Sequence, residues 1–265
     1  MTIHSTAVID SSAELDSSVD IGPYAVIGSD VKIGAETKVE AHAVVSGPST
    51  IGERNLIGSF ATVGGAPQDL NYKGEPTELI VGNDNQIREY ASIHRGTPSG
   101  KQKTVIGSNN LLMAYIHIAH DCVIGDNVIM ANVATLAGHV EVGNNASIGG
   151  LVAVHQFCRI GTFSYIGGIS GLGLDVPPYV IVAGTRSRTR VSGINKVGLR
   201  RNGFSRETIK MLDSTFRIIY RSPNLLLKDA LVQASQEFPG CQEVKQMIDF
   251  FNTSKRGVIR RTSED

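Results

Sequence analysis

An aliphatic residue returns every six positions through about two thirds of this 265-residue chain. The run begins Ile3, Ile9, Leu15, Ile21, Ile27, Ile33, Val39, Val45, Ile51, Ile57, Val63. It breaks after Gln68, resumes at Val81, Ile87 and Ile93, and breaks again after Pro98. It then continues through Ile106, Leu112, Ile118, Ile124, Met130, Leu136, Val142, Ile148, Val154, Ile160, Ile166 and Leu172. A period of six fits neither a helix, which repeats at about 3.6, nor a half-buried hairpin, which repeats at 2. It fits a solenoid with three short strands per coil, each hexad forming one wall with its aliphatic residue turned inward.

Three hexads make one coil, so residues 18 apart in an unbroken stretch lie above one another at the strand spacing of roughly 4.8 Å. Each coil then buries its neighbour's face. The second hexad position is often glycine, as at Gly22, Gly34, Gly125, Gly149 and Gly161. Glycine there is expected to supply corner backbone angles that a side chain forbids. The fifth position is small or β-branched, as at Ala25, Val31, Thr37, Ala61, Val128 and Ala146, and is expected to fill space inside. The interruptions at 69–80 and 99–105 predict outward loops, which often carry function. The β part is expected to span 1–185.

Past Pro178 the pattern changes to helical spacing. Ser205 can cap a helix over 206–222, with Ile209, Leu212, Phe216, Ile219 and Tyr220 on one face. Further helices are expected over 225–238 and 242–254, punctuated by Gly203, Pro223 and Pro239-Gly240. The segment 186–265 thus reads as a helical domain covering the last coil.

Composition excludes several functions. Twenty-nine glycines and no tryptophan suit a core of many small layers. The 25 basic and 25 acidic residues balance, which argues against a protein that coats nucleic acid. No apolar run reaches the roughly 20 residues of a membrane span. With no basic-then-apolar leader either, the expected setting is cytoplasmic. Cys122, Cys158 and Cys241 show neither disulfide nor zinc spacing. Cys122 and Cys158 fall at inward fifth positions, as buried filler.

The repeat also gathers chemistry. The hexads starting at Ile118, Leu136 and Val154 stack on one wall and bring His120, Asp121, Gly138, His139, His155 and Gln156 into one strip, with His117 just before it. A lone histidine is usually structural, but a stacked cluster beside an acid points to a site. Two chemistries compete: zinc ligation of the carbonic-anhydrase kind, or one histidine as general base with its neighbours binding substrate. Adjacent strand residues face opposite sides, so Asp121 reaches His120 only through a local bend. Separately, Arg186, Arg188, Arg190, Lys196, Arg200, Arg201, Arg206 and Lys210 are opposed within that stretch only by Glu207. This local positive surface suits an acidic partner or phosphate, or else pairs with the neighbouring domain. Aromatic residues do not interleave, so a nucleic-acid reading is poor.

The segments IHRGT (93–97), NLLMAYIHIAHDC (110–122), ATLAGHV (134–140), AVHQFCRIG (153–161), SGLGLDVPPYV (170–180), LRRNGFSRE (199–207) and RGVIR (256–260), with QDLNYKGEPT (68–77), resemble the UDP-N-acetylglucosamine 3-O-acyltransferase family. The resemblance runs nearly end to end. It implies a left-handed parallel β-helix of hexapeptide repeats with a C-terminal α-helical domain, a homotrimer, and the first step of lipid A synthesis. It implies that His120 takes the proton of the glucosamine 3-hydroxyl of UDP-N-acetylglucosamine. That oxygen would attack a 3-hydroxyacyl-acyl carrier protein, with Asp121 supporting His120 and the Gly138 N–H holding the oxyanion. Gln68, Asp69, His94, His117, His139, His155 and Gln156 would position substrate. Asn195 and Arg201 would hold the nucleotide, and Gly168 would leave room for a longer acyl chain. No metal or cofactor is implied. Asn71, Val197 and Asn202 depart from the family's Lys, Glu and Arg at those positions and are expected to alter nucleotide contacts. A 3-amino sugar acceptor, giving an amide, a coenzyme A thioester donor and a non-catalytic scaffold remain alternatives.

Overall fold

The computed structural model describes residues 2–184, 188–222 and 224–260; the expectations that fall on Arg186 and Pro223 lie outside them. The chain winds into a left-handed parallel β-helix with three walls. Wall 1 has eleven strands, running from Thr2–Ile3 to Arg190–Ile194. Wall 2 has nine, from Val8–Ile9 to Gly171–Leu172. Wall 3 has eight, from Glu14–Leu15 to Arg159–Ile160. Aliphatic residues pair in register up each wall, as in Ile93 to Ile118 to Leu136 to Val154. Past the first coils, those hexad residues are buried, with Ile57, Ile87, Ile93, Ile118 and Leu136 at 0% exposure. Each such side chain contributes about 1.5–3 kcal/mol on burial, so stability is spread along the solenoid rather than concentrated in one centre. The fifth-position residues Ala25, Val31, Thr37, Ala61, Val128 and Ala146 are likewise fully buried.

The second-position glycines act by a different cause than corner angles. The left-handed backbone falls at the fourth position, where side chains occur: Tyr24, His42, Phe60, Tyr90, Tyr115, Asp121, Val133, His139, Phe157 and Ile169 all have φ between 56° and 65°. For β-branched Val133 and Ile169 this is a strained choice, held by the coils on either side. The glycines are needed because successive coils touch. A Cβ on Gly34 would lie 2.8 Å from the carbonyl carbon of Gly52, and one on Gly161 would lie 2.3 Å from the nitrogen of Pro178.

Both interruptions are shorter than their broken period suggests. Glu78–Val81 and Lys103–Ile106 are paired strands of wall 3. The residue two before each hexad aliphatic, Leu79 or Thr104, also points inward and is fully buried. The loops are therefore the segments before Glu78 and before Lys103. Both leave the solenoid at the same corner, between walls 2 and 3, on consecutive coils.

At the far end, Val180–Ala183 extends wall 1 and Arg190–Ile194 pairs antiparallel with it. β structure thus continues beyond residue 185 and closes the sheet edge with a hairpin. Four helices follow: α1 (Lys196–Arg201), α2 (Arg206–Tyr220), α3 (Leu227–Glu237) and α4 (Gln242–Thr253). Ser205 caps α2 by accepting the Thr208 N–H at 2.9 Å, and Ile209, Leu212, Phe216 and Ile219 form its buried face. The short α1, with a valine and a glycine inside it, has no periodic signal in the sequence. After α4 the chain returns to the solenoid as a strap. Asp175 donates its N–H to Gly257 and accepts that of Ile259, while its carboxylate accepts Ser254 Oγ at 2.7 Å.

Candidate active site

The corner between walls 2 and 3 carries the site. Below the two loops, three coils stack there. The third hexad position gives the column His120, Gly138, Gln156, and the fourth gives Asp121, His139, Phe157. The bend that His120 and Asp121 require is present: Asp121 sits at φ 62°. Its Oδ2 accepts the His120 Nδ1–H at 2.8 Å. His120 is thereby held as the tautomer whose Nε2 bears a lone pair.

Asp121 is completely buried. It accepts Thr97 Oγ1 at 2.6 Å, the Lys101 N–H at 2.7 Å and the Thr97 N–H at 3.1 Å. Burial pushes its carboxyl up, but these hydrogen bonds and that from His120 outweigh it and hold the group below the usual carboxylate value. Gly100 has to be glycine, because a Cβ there would lie 2.4 Å from the Asp121 carboxyl carbon. The second loop is thus a cradle for one carboxylate.

Gly138 passes directly beneath the His120 ring. A Cβ on it would lie 2.6 Å from Cε1 and 2.8 Å from Nε2 of His120. Its N–H donates to no protein group among the described residues. A lone-pair nitrogen and an uncommitted backbone donor thus lie on adjacent coils at one corner, the pair of groups that proton abstraction beside a developing oxyanion calls for.

His139 stacks on Phe157 at 4.4 Å and stands edge-on to His120 at 5.1 Å. Burial lowers its pKa, opposed by the Asp121 charge and by Asp69 of the first loop. Asp69 thus acts on the site electrostatically, while its neighbour Gln68 is exposed. His117 accepts from or donates to Ser92 Oγ at 2.6 Å and meets His94 edge-on at 4.9 Å. Burial, with the charge of His120, lowers the pKa of His117.

His94 is buried, and its Nδ1 has no hydrogen-bond partner among the described residues. Burial, then the charges of His117, His120 and Arg95, pushes its pKa down to about 4. We expect the His94 resonances to stay flat in an NMR titration from about pH 8 to about pH 5. A midpoint inside that range would contradict a buried neutral imidazole.

Gly168, Asn195 and Arg201 lie elsewhere in the chain. Gly168 stands against Gly150 at the corner between walls 1 and 2. Asn195 caps α1, its Oδ1 accepting the Gly198 N–H and its Nδ2 donating to Phe163 O. Arg201 is exposed on α1. Cys122 and Cys158 are fully buried, and burial pushes their thiols up to about 12 and about 11, which removes them as nucleophiles. Sequence reasoning missed Ser92, Thr97, Lys101, Phe157 and Arg256. The hexad register could have placed Ser92 beside His117 and Phe157 above His139. Thr97 and Arg256 lie in IHRGT and RGVIR, segments that carry the resemblance, but nothing in them announced contact with Asp121 or His155.

A hexapeptide β-helix with a carboxylate-held histidine over a glycine at its corner defines an acyltransferase of the hexapeptide class. Residues 30–65 and 103–138 match the bacterial transferase hexapeptide model, and residues 175–259 match domain 2 of UDP-N-acetylglucosamine O-acyltransferase. The acyl-[acyl-carrier-protein]–UDP-N-acetylglucosamine O-acyltransferase of Thermodesulfovibrio yellowstonii is 50% identical over 79% of this chain and 80% of its own. The solved UDP-N-acetylglucosamine O-acyltransferase of Moraxella catarrhalis is 45% identical, covering 98% and 100% of the two chains, with a TM-score of 0.94. That of Francisella novicida is 37% identical over 99% and 95%, with a TM-score of 0.95. The chain belongs to the UDP-N-acetylglucosamine O-acyltransferase family.

Proposed function

We propose that this enzyme transfers a 3-hydroxyacyl group from acyl carrier protein to the 3-hydroxyl of UDP-N-acetylglucosamine, the entry to lipid A assembly. The observation that carries the reading is His120 Nε2, deprotonated by the tautomer Asp121 imposes and placed over the Gly138 backbone. Nε2 takes the hydroxyl proton as the sugar oxygen bonds to the thioester carbon. The Gly138 N–H stabilises the resulting oxyanion. Collapse breaks the C–S bond, and the imidazolium returns its proton to the leaving thiolate. His94, His117, His139, His155, Gln156, Gln68 and Asp69 position the two substrates around this centre.

Gly168 lies at the wall 1–wall 2 corner and Asn195 and Arg201 lie at α1, none of them at the wall 2–wall 3 corner of His120, which favours a site completed by neighbouring copies. An exposed column at the wall 1–wall 2 corner supports a homotrimer: Tyr24, His42, Phe60, Tyr90 and Tyr115 stack ring on ring, followed by exposed Val133, Leu151 and Ile169. The carrier protein is expected at the basic face, where Lys196, Arg200, Arg206 and Lys210 line a cavity of about 350 Å³ with Ile209 and Asp213. No helix among the described residues is long and apolar enough to cross a membrane, in keeping with a cytoplasmic reading.

A zinc reading of His120, Asp121 and His139, whose ligand atoms lie within 4.8 Å of one another, is weaker. Asp121 spends its oxygens on Thr97, Lys101 and His120, and a metal would have to displace those bonds. In the test, purified enzyme receives a 3-hydroxyacyl carrier protein and UDP-N-acetylglucosamine. We expect acyl-UDP-sugar and free carrier thiol in equal amounts, with an ester that mild alkali cleaves. An alkali-stable amide formed only from a 3-amino sugar, or turnover that tracks zinc content, would overturn the assignment.

A further inference from the structure

The strap after α4 brings Arg256 across about a hundred positions of sequence to the active-site strip. Its Nη2 lies 2.8 Å from His155 Nδ1, and its Nε donates to Gly173 O at 2.8 Å. Arg256 also lines, with His139, Phe157 and Lys101, a cavity of about 820 Å³ between the solenoid corner and the helical part. A guanidinium has donors and no acceptor. At this distance a proton on Nδ1 would face an N–H head-on, so Nδ1 must carry its lone pair. The longer approach of Nδ1 to Gln156 O, 3.3 Å, would need that same nitrogen to be a donor. The two contacts exclude each other, and the shorter, charge-assisted one prevails.

We propose that Arg256 is a positioning residue that fixes the His155 imidazole as the Nε2–H tautomer, so that the ring presents a donor to the substrates. The dyad is thereby complemented: His120 offers a lone pair at Nε2, and His155 offers a proton at the same atom. The device reaches the site through the strap, which Asp175 clamps to the last coil through Ser254, Gly257 and Ile259. Its kinetic consequence rests on the reading of His155 as a substrate-positioning group; its structural content does not.

The test is long-range proton–nitrogen NMR on the full-length protein labelled with ¹⁵N at histidine. In the unaltered protein we expect His155 to show an unprotonated Nδ1 and a protonated Nε2. In Arg256→Met both tautomers should appear, with turnover reduced about tenfold, the scale of one hydrogen bond to a charged group. Arg256→Lys, which keeps a donor, should restore most of the single tautomer. Ser254→Ala loosens the strap without touching the guanidinium, and should lower the melting temperature while leaving the tautomer intact. A proton on His155 Nδ1 in the unaltered protein would overturn the proposal. So would an Arg256→Met spectrum identical to it, and both results are read without any assay of activity. Should Arg256→Met fail to fold, the unaltered spectrum and Arg256→Lys still decide.

Discussion

Replacing His120 by alanine is expected to lower kcat by on the order of a thousandfold, the range of a lost general base, with little change in folding. The side chain is 15% exposed, and among the described residues its one hydrogen bond is that to Asp121. Asp121 keeps its three donors from Thr97 and Lys101, so the second loop stays in place. If Gly138 holds the oxyanion as proposed, its N–H remains in the variant, and the residual rate should exceed that of the uncatalysed thioester. Rapid-quench measurement of one turnover, alongside calorimetric binding of the nucleotide sugar, separates chemistry from affinity. Unimpaired turnover would remove His120 from the role of base.

Replacing Asp121 by alanine should injure both fold and chemistry. It strips the acceptor from the buried Thr97 N–H and hydroxyl and from the part-buried Lys101 N–H. Each unsatisfied donor costs about 1–3 kcal/mol, and partial rescue by water leaves a loss of about 3 kcal/mol in denaturant melts. Turnover should fall at least as far as the loss of a correct tautomer implies, about a hundredfold or more. The pH dependence has a defined sign. Hydrogen bonds hold the Asp121 carboxyl below its ordinary value of 3.8. Its contribution to stability is therefore complete above that value and is lost as pH falls through the lower, folded one. Asp121→Asn should flatten this acid limb. An unchanged limb would mean that the carboxylate is not held as described.

The solenoid was legible because one side chain in six has no freedom: the inward position must be aliphatic in every coil. The histidine strip followed from the same arithmetic, as did the burial of Cys122 and Cys158. What the period could not convey was which backbone position bends. The glycines suggested the second, whereas the left-handed residue is the fourth, where Asp121, His139 and Phe157 sit. That misplacement is why the bond between His120 and Asp121 looked awkward from sequence alone. Loop lengths were overread because Glu78–Ile80 and Lys103–Val105 pair before their first in-phase aliphatic residue. Contacts that cross the chain without a period, such as Thr97 to Asp121 and Arg256 to His155, could not be paired from the pattern of either segment. Helix α1 and the hairpin ending at Ile194 were unseen for the same reason: neither has enough turns or repeats to print a pattern.

Both loops leave the coil at one corner, and this limits where chain length can vary. A single residue added inside a hexad would turn every following aliphatic side chain toward solvent until the count was restored. At the corner between walls 2 and 3 the backbone already departs and returns at the cost of one local register shift, between Val63 and Gly65. Grafts, tags or natural insertions are best accommodated there, and each would arrive as a new rim above the same histidines.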